Sequence, residues 1–135
     1  MNIAIMAQDA KKELMTQFCV AYSRILQKHR IFATGTTGRL ISEATDLNVI
    51  QLLPGAQGGI EQISSRVQCN EIDVVLFFRD PLKPFSHEIL DTLFRLCDAH
   101  QVPFATNIAT AEVLIMSLDR GDLDWRMYTH GTTIF

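Results

Sequence analysis

The sequence predicts a single α/β domain: a five-stranded parallel sheet with helices on both faces. Three observations carry this. Strand-like and helix-like segments alternate from end to end, as a parallel sheet with crossover helices requires. One strand, Ile72 to Phe78, is almost continuously apolar, as expected of a central strand covered on both faces. And 135 residues suffice for one core but not for two.

The elements follow in order. Asn2 to Ala7 is a short apolar strand, and Asp9 opens a helix running to about Lys28. Leu14, Phe18, Ala21 and Ile25 recur at i, i+4, i+7 and i+11, one face of a 3.6-residue period. Arg30 to Ala33 is the second strand, leading into a Thr34 to Gly38 loop and a short helix from Leu40 to Thr45. Val49 to Leu53 is the third strand, followed by a Pro54 to Gly59 loop and a helix from Ile60 to Gln68. After the Ile72 to Phe78 strand come a Pro-containing loop, an amphipathic helix from Ser86 to His100, a fifth strand from Val102 to Ala105, and a last helix from Thr110 to Leu118. No repeat, low-complexity segment or linker interrupts this order.

Composition narrows the function. Hydrophobic residues make up 47% and charged residues 20%, the balance of a globular chain. A formal net charge of −3 argues against broad nucleic-acid binding, which needs a basic face. Met1 to Met6 is too short and uncharged for a secretory signal, and no apolar stretch reaches the ~18 residues of a membrane span. The expected location is the cytoplasm. Cys19, Cys69 and Cys97 form neither a zinc pattern nor a disulfide framework. Cys19 and Cys97 lie on apolar helix faces, as small buried hydrophobes would. His29, His100 and His130 lack metal-ligand spacing, so no metal is expected.

In parallel sheets, ligands bind beyond the carboxyl ends of the strands. Those places hold Asp9, Thr34 to Gly38, Pro54 to Gly59, and Arg79 to His87. Thr34, Thr36 and Thr37 offer hydroxyls beside a helix N-terminus, which suits a phosphate. Gly55, Gly58 and Gly59 permit close backbone approach. Asp9 and Lys12 stand three apart on a helix and can face the same way. Asp9 is either a helix cap or a functional carboxylate; Lys12 is either solvated or an anion ligand. Asp80 follows a buried strand directly, as a site carboxylate or as a cap of the turn through Pro81. His87 follows the Pro81 to Pro84 loop, and its ordinary pKa near 6.5 suits proton donation to a carbonyl oxygen. Phosphate donors, two carboxylates and a histidine suit proton abstraction next to a carbonyl in a small phosphorylated substrate.

With these residues in place the chain resembles methylglyoxal synthases over almost its whole length. The resemblance rests on the Asp9/Lys12 helix start, Ala-Thr-Gly-Thr-Thr-Gly-Arg-Leu-Ile (33 to 41), the glycine pair 58 and 59, Phe-Phe-Arg-Asp-Pro-Leu (77 to 82), His87-Glu88, and Pro103 to Asn107 continuing to Glu112. It implies a flavodoxin-like three-layer sandwich, a homohexamer, and cofactor-free conversion of dihydroxyacetone phosphate to methylglyoxal and inorganic phosphate. In the family reaction an aspartate removes a carbon-bound proton, a histidine handles the oxygen atoms, and phosphate is eliminated from an ene-diolate. By motif, Lys12, Thr34, Thr36, Thr37 and Gly55 would bind the phosphate. Asp9, Asp80 and His87 would surround the reacting carbons.

The chain departs from the family at one place that matters. The family reads Ser-Gly-Pro-x-Gly-Gly-Asp-Gln-Gln, and its aspartate is the base. Here residues 54 to 62 read Pro-Gly-Ala-Gln-Gly-Gly-Ile-Glu-Gln, so Ile60 takes the position of the base and Pro54 that of the serine. Gln8 stands where the family usually has histidine. Three readings follow: Glu61 substitutes as base, the protein binds phosphorylated ligands without turnover, or it catalyses a less demanding step. Loss of a general base typically removes about 10²–10⁴-fold in rate. The alternative class is a non-catalytic phosphate- or nucleotide-binding regulatory homologue, like the modules of this fold in carbamoyl phosphate synthetase large subunits.

Overall fold

The computed structural model describes residues 1–83 and 87–130. Five strands, β1 (Asn2–Ala7), β2 (Arg30–Thr34), β3 (Val49–Leu52), β4 (Val74–Phe78) and β5 (Phe104–Ala105), form one sheet in the order β3-β2-β1-β4-β5. Every pairing is parallel; Ile3 lies beside both Ile31 and Val74. The chain winds first one way and then the other from β1, which puts the switch point between β1 and β4.

Alternate residues of the central strands feed two separate cores. Ile3, Ile5, Val74, Leu76 and Phe78 face one side. There they meet Met15, Phe18 and Cys19 of α1 (Lys12–Ala21), Leu26 of α2 (Ser23–Leu26), Ile41 of α3 (Gly35–Ala44), and Ala111, Ile115 and Leu118 of α6 (Ile108–Asp119). Ala4, Met6, Val75 and Phe77 face the other side. They pack on Ile60, Ile63 and Val67 of α4 (Gly59–Gln68), and on Leu90, Leu93 and Cys97 of α5 (His87–Ala99). The result is the expected flavodoxin-like three-layer α/β sandwich. All five residues of β4 are buried, which explains its unbroken apolar run. Cys19 and Cys97 are buried as expected, and burial pushes each thiol up to about 12.

Several boundaries differ from expectation. The helix from Asp9 to Lys28 is three pieces: a 3₁₀ turn over Asp9–Lys11, then α1, then α2. Tyr22 breaks it, leaving helical geometry at φ −107°, ψ 20°. Its ring packs on Phe18, and its hydroxyl donates to Glu112 Oε2 of α6 at 2.7 Å. The core stripe is accordingly Met15, Phe18, Cys19 and Leu26, and Ala21 is exposed. The Thr34 to Gly38 segment is not a loop: β2 runs through Thr34 and α3 begins at Gly35. The expected strand ends Ile72 and Val102 lie outside β4 and β5. Pro84 and the expected helix start at Ser86 lie outside the described residues.

A seventh helix, α7 (Trp125–His130), was not anticipated. Its anchor is Arg126, 1% exposed. The guanidinium pairs with Asp73 Oδ1 at 3.2 Å and donates to the Gln101 carbonyl. A buried arginine tolerates this position only because each of these acceptors is supplied.

Candidate active site

A pocket of about 320 Å³ opens at the carboxyl ends of the central strands, over the switch point. Each wall comes from a different strand end. β1 delivers Met6 and Ala7, then Gln8, Asp9 and, one turn on, Lys12. β2 delivers Thr34 and the first turn of α3, with Thr36 and Thr37. β3 leads to Pro54, Gly55 and Ala56, with Ile60 behind them on α4. β4 delivers Phe77, and the turn after it delivers Lys83.

The α3 wall presents unpaired hydrogen-bonding groups. The first N–H groups of a helix have no intrahelical acceptor, and the Thr34 side chain does not cap them. Thr37 is 1% exposed, yet its Oγ1 has no hydrogen-bond partner among the described residues. A buried unpartnered hydroxyl is costly, and Thr37 is a residue of the pocket wall. The helix start is pressed close to the third strand end. Gly35 N–H donates to the Leu53 carbonyl at 3.2 Å, and a Cβ on Gly35 would fall 2.7 Å from Pro54 Cα. Only glycine admits that approach.

The β1 wall carries an ion pair. Lys12 Nζ donates to Asp9 Oδ1, and the two form an ion pair. The Lys12 ammonium, through this hydrogen bond and its charge, holds the Asp9 carboxyl below the usual carboxylate range; burial opposes this, and Lys83 adds a lowering smaller than that opposition. Asp9 sits at the rim, its side chain 83% exposed, while Lys12 reaches inward at 21%. The wall behind them is apolar: Ile60 is 2% exposed and packs in the same core as Met6 and Phe77. Its Cδ1 lies 3.6 Å from where a Cβ on Gly55 would stand.

The structure therefore brings Asp9, Lys12, Thr34, Thr36, Thr37 and Gly55 to one cavity. Glu61 is not with them. It is exposed on the next position of α4 and lines a separate groove with Ser65, Gln68 and Glu88. Asp80 is half-buried and closes its own turn, its Oδ1 accepting the Leu82 N–H at 3.0 Å. His87 is exposed at the start of α5. Neither Asp80 nor His87 is among the described residues of the pocket wall. Lys83 is the wall residue that sequence reasoning passed over. In the sequence it is an unremarked lysine of the proline-containing loop at the expected ligand edge, and only the fold turns it toward the cavity.

Comparison with known proteins agrees with this architecture. A family model described as an MGS-like domain matches residues 15–106. The chain is 61% identical over 127 residues to a methylglyoxal synthase of Caldicellulosiruptor saccharolyticus, covering 93% of this chain and 90% of that one. It is 56% identical over 128 residues to a methylglyoxal synthase of Thermoanaerobacter sp. (strain X514), covering 93% and 96%. The crystal structure of methylglyoxal synthase from Elizabethkingia anophelis NUHP1 superposes with a TM-score of 0.78 at 35% identity, over 84% of this chain and 76% of that one. With shared motifs, shared fold and these identities, the chain belongs to the methylglyoxal synthase family.

Proposed function

We propose that this protein binds a small phosphorylated ligand, or inorganic phosphate, in the pocket over β1 and β4. We further propose that its turnover of dihydroxyacetone phosphate to methylglyoxal and phosphate is weakened or lost. The observation that carries the second part is Ile60: apolar, 2% exposed and on the pocket wall, at the position the family resemblance gives to the base. An isoleucine accepts no proton.

The phosphate half of the chemistry has its supports. Lys12, the hydroxyls of Thr34, Thr36 and Thr37, and the free N–H groups of α3 would hold the phosphate and stabilise it as it leaves. The orphaned Thr37 hydroxyl is the strongest of these supports, because a phosphate oxygen would satisfy it. The proton-abstraction half is poorly served. Asp9 is tied to Lys12, which lowers its basicity as it lowers its pKa. Glu61 belongs to another groove. A base must stand within hydrogen-bond reach of the proton it takes, and neither carboxylate has the place that residue 60 has. His87 keeps its family role as the group that handles the oxygen atoms, and Asp80 that of a neighbouring carboxylate, in this reading. The same reading includes a homohexamer in the cytoplasm, for which light scattering is the check on assembly.

The second reading, a non-catalytic phosphate- or nucleotide-binding regulator, is favoured by the same pairing of an anion wall with an apolar residue 60. One experiment separates the two. Wild type, Ile60→Asp and Glu61→Gln are assayed with dihydroxyacetone phosphate, with methylglyoxal and phosphate measured together. Burying Ile60 is worth about 1.5–3 kcal/mol, and a carboxylate in its place adds a desolvation cost, so the aspartate variant is less stable by more than that. Its turnover rises by about 10²-fold or more while phosphate affinity changes little. Full activity in wild type, abolished by Glu61→Gln, would make Glu61 the base and refute the proposal. No gain on Ile60→Asp, with phosphate still bound, would favour the regulator.

A further inference from the structure

We infer that Lys83 is an anion-binding group of this pocket, and that Gln8 is the positioning residue that holds it there. The inference rests on the phosphate-binding reading above and extends it to two residues outside the phosphate set that the family resemblance supplies.

Gln8 leaves the end of β1 half-buried, and its carboxamide bridges to the turn after β4. Nε2 donates to the Lys83 carbonyl at 2.9 Å, and Oε1 accepts the Asp80 N–H at 2.8 Å. The amide orientation follows from this pair of contacts. Turned over, it would set oxygen against a carbonyl and NH₂ against an N–H. The turn is tied internally as well. Lys83 N–H donates to the Asp80 carbonyl at 3.2 Å, and Asp80 Oδ1 takes the Leu82 N–H. At its base, Gln8 N–H donates to the Phe78 carbonyl at 3.1 Å and Arg79 N–H to the Thr106 carbonyl at 3.1 Å. The four residues from Asp80 to Lys83 are thereby anchored to the strand ends, and the Gln8 amide is their link to β1.

The consequence is electrostatic. Among the described wall residues, Lys12 is offset by Asp9, while Lys83 forms no ion pair. Among the described wall residues Lys83 is thus the cation with no carboxylate in ion-pair contact, and it adds the smallest of the influences on nearby Asp9. A glutamine is suited to this task because it presents a donor and an acceptor at once and carries no charge of its own. A leucine of similar length would release both the Asp80 N–H and the Lys83 carbonyl to water.

The test is calorimetric titration of the intact protein with inorganic phosphate, for wild type, Lys83→Met, Gln8→Leu and the double variant. Lys83→Met weakens binding about fivefold, the worth of one exposed ionic contact. That loss disappears at about 1 M salt, where the screening length is about 3 Å. Gln8→Leu weakens binding by up to the same factor, and the double variant binds no more weakly than Lys83→Met alone, because the two act through one contact. Wild-type affinity in Lys83→Met overturns the inference and leaves the phosphate reading intact. A Gln8→Leu loss that persists in full on the Lys83→Met background overturns the role of Gln8. If wild type binds no phosphate, the parent reading fails and this inference with it. Lys83 is exposed, so its variant folds whatever Gln8→Leu does.

Discussion

Thr37→Val makes the protein more stable and worse at its task. Thr37 is buried on the first full turn of α3, and its hydroxyl has no partner among the described residues. Leaving such a group unsatisfied costs about 1–3 kcal/mol. Valine keeps the shape, the β-branch and nearly the same helix propensity, and replaces the hydroxyl by a methyl. Ligand-free Thr37→Val is therefore more stable than wild type by about 1–3 kcal/mol, a rise in Tm of about 3–10 °C for a domain of this size. Phosphate reverses the balance. At a concentration a hundred times the wild-type Kd, wild type gains about 2.7 kcal/mol by linkage. Losing one hydrogen bond to a charged oxygen costs about 1.5–3 kcal/mol, so at the same concentration the variant gains only about 0.3–1.3 kcal/mol. Thermal melts of both proteins, with and without phosphate, read all four values. A ligand-free variant less stable than wild type by about 1 kcal/mol would mean that the hydroxyl is satisfied. An undiminished phosphate shift in the variant would mean that Thr37 does not touch the anion.

Two further predictions concern groups away from the pocket. Arg126→Met keeps the apolar stem but leaves the mostly buried Asp73 with the Asn2 N–H and no cation, and the Gln101 carbonyl without its guanidinium donor, and lowers stability by about 3 kcal/mol, read from denaturant midpoints. Partial burial, with the N-terminal ammonium 3.1 Å from Nδ1, pushes the His29 pKa below its ordinary 6.5. The unfolded chain then binds the proton more readily than the folded one. The contribution is fully present above about pH 6.5 and is lost as pH falls from there through the folded value. His29→Gln flattens the stability profile in that window; an unchanged slope between about pH 5 and 7 would refute the assignment.

The fold was legible because its signals are local. Alternation, and the unbroken run ending in Phe78, are visible in any short window. The Thr34 to Gly38 segment was misread for an equally local reason. Two glycines and three threonines have poor helix propensity, and in the sequence they look like a loop. The structure gives Gly35 a different purpose: α3 starts where Pro54 leaves room for no side chain, and burial of Thr37, Gly38 and Ile41 overrides propensity. Helix α7 was invisible because what holds it is distant in sequence. Arg126 reads as a surface residue until the fold brings Asp73, 53 positions away, to its guanidinium.

The site was half-legible, and strand order accounts for the other half. That ligands meet the carboxyl ends of parallel strands could be used without knowing which ends are neighbours. It put Asp9, Lys12, the three threonines and Gly55 on the candidate roster, and these do share the cavity. It could not say that β4 lies beside β1, because periodicity carries no information on strand order. The sheet order brings the chain after Ala7 against the chain after Phe78, so that Gln8 reaches Asp80 across 72 positions. The same adjacency turns Lys83 from a solvated charge into a wall residue. It also sets Ile60 and Phe77, from one of the two cores, behind the threonines of α3. Neighbours in sequence part company at this point. Ile60 and Glu61 are adjacent on α4, yet the helix turns one into the pocket and the other into a different groove. A base cannot be moved one position along a helix and keep its target.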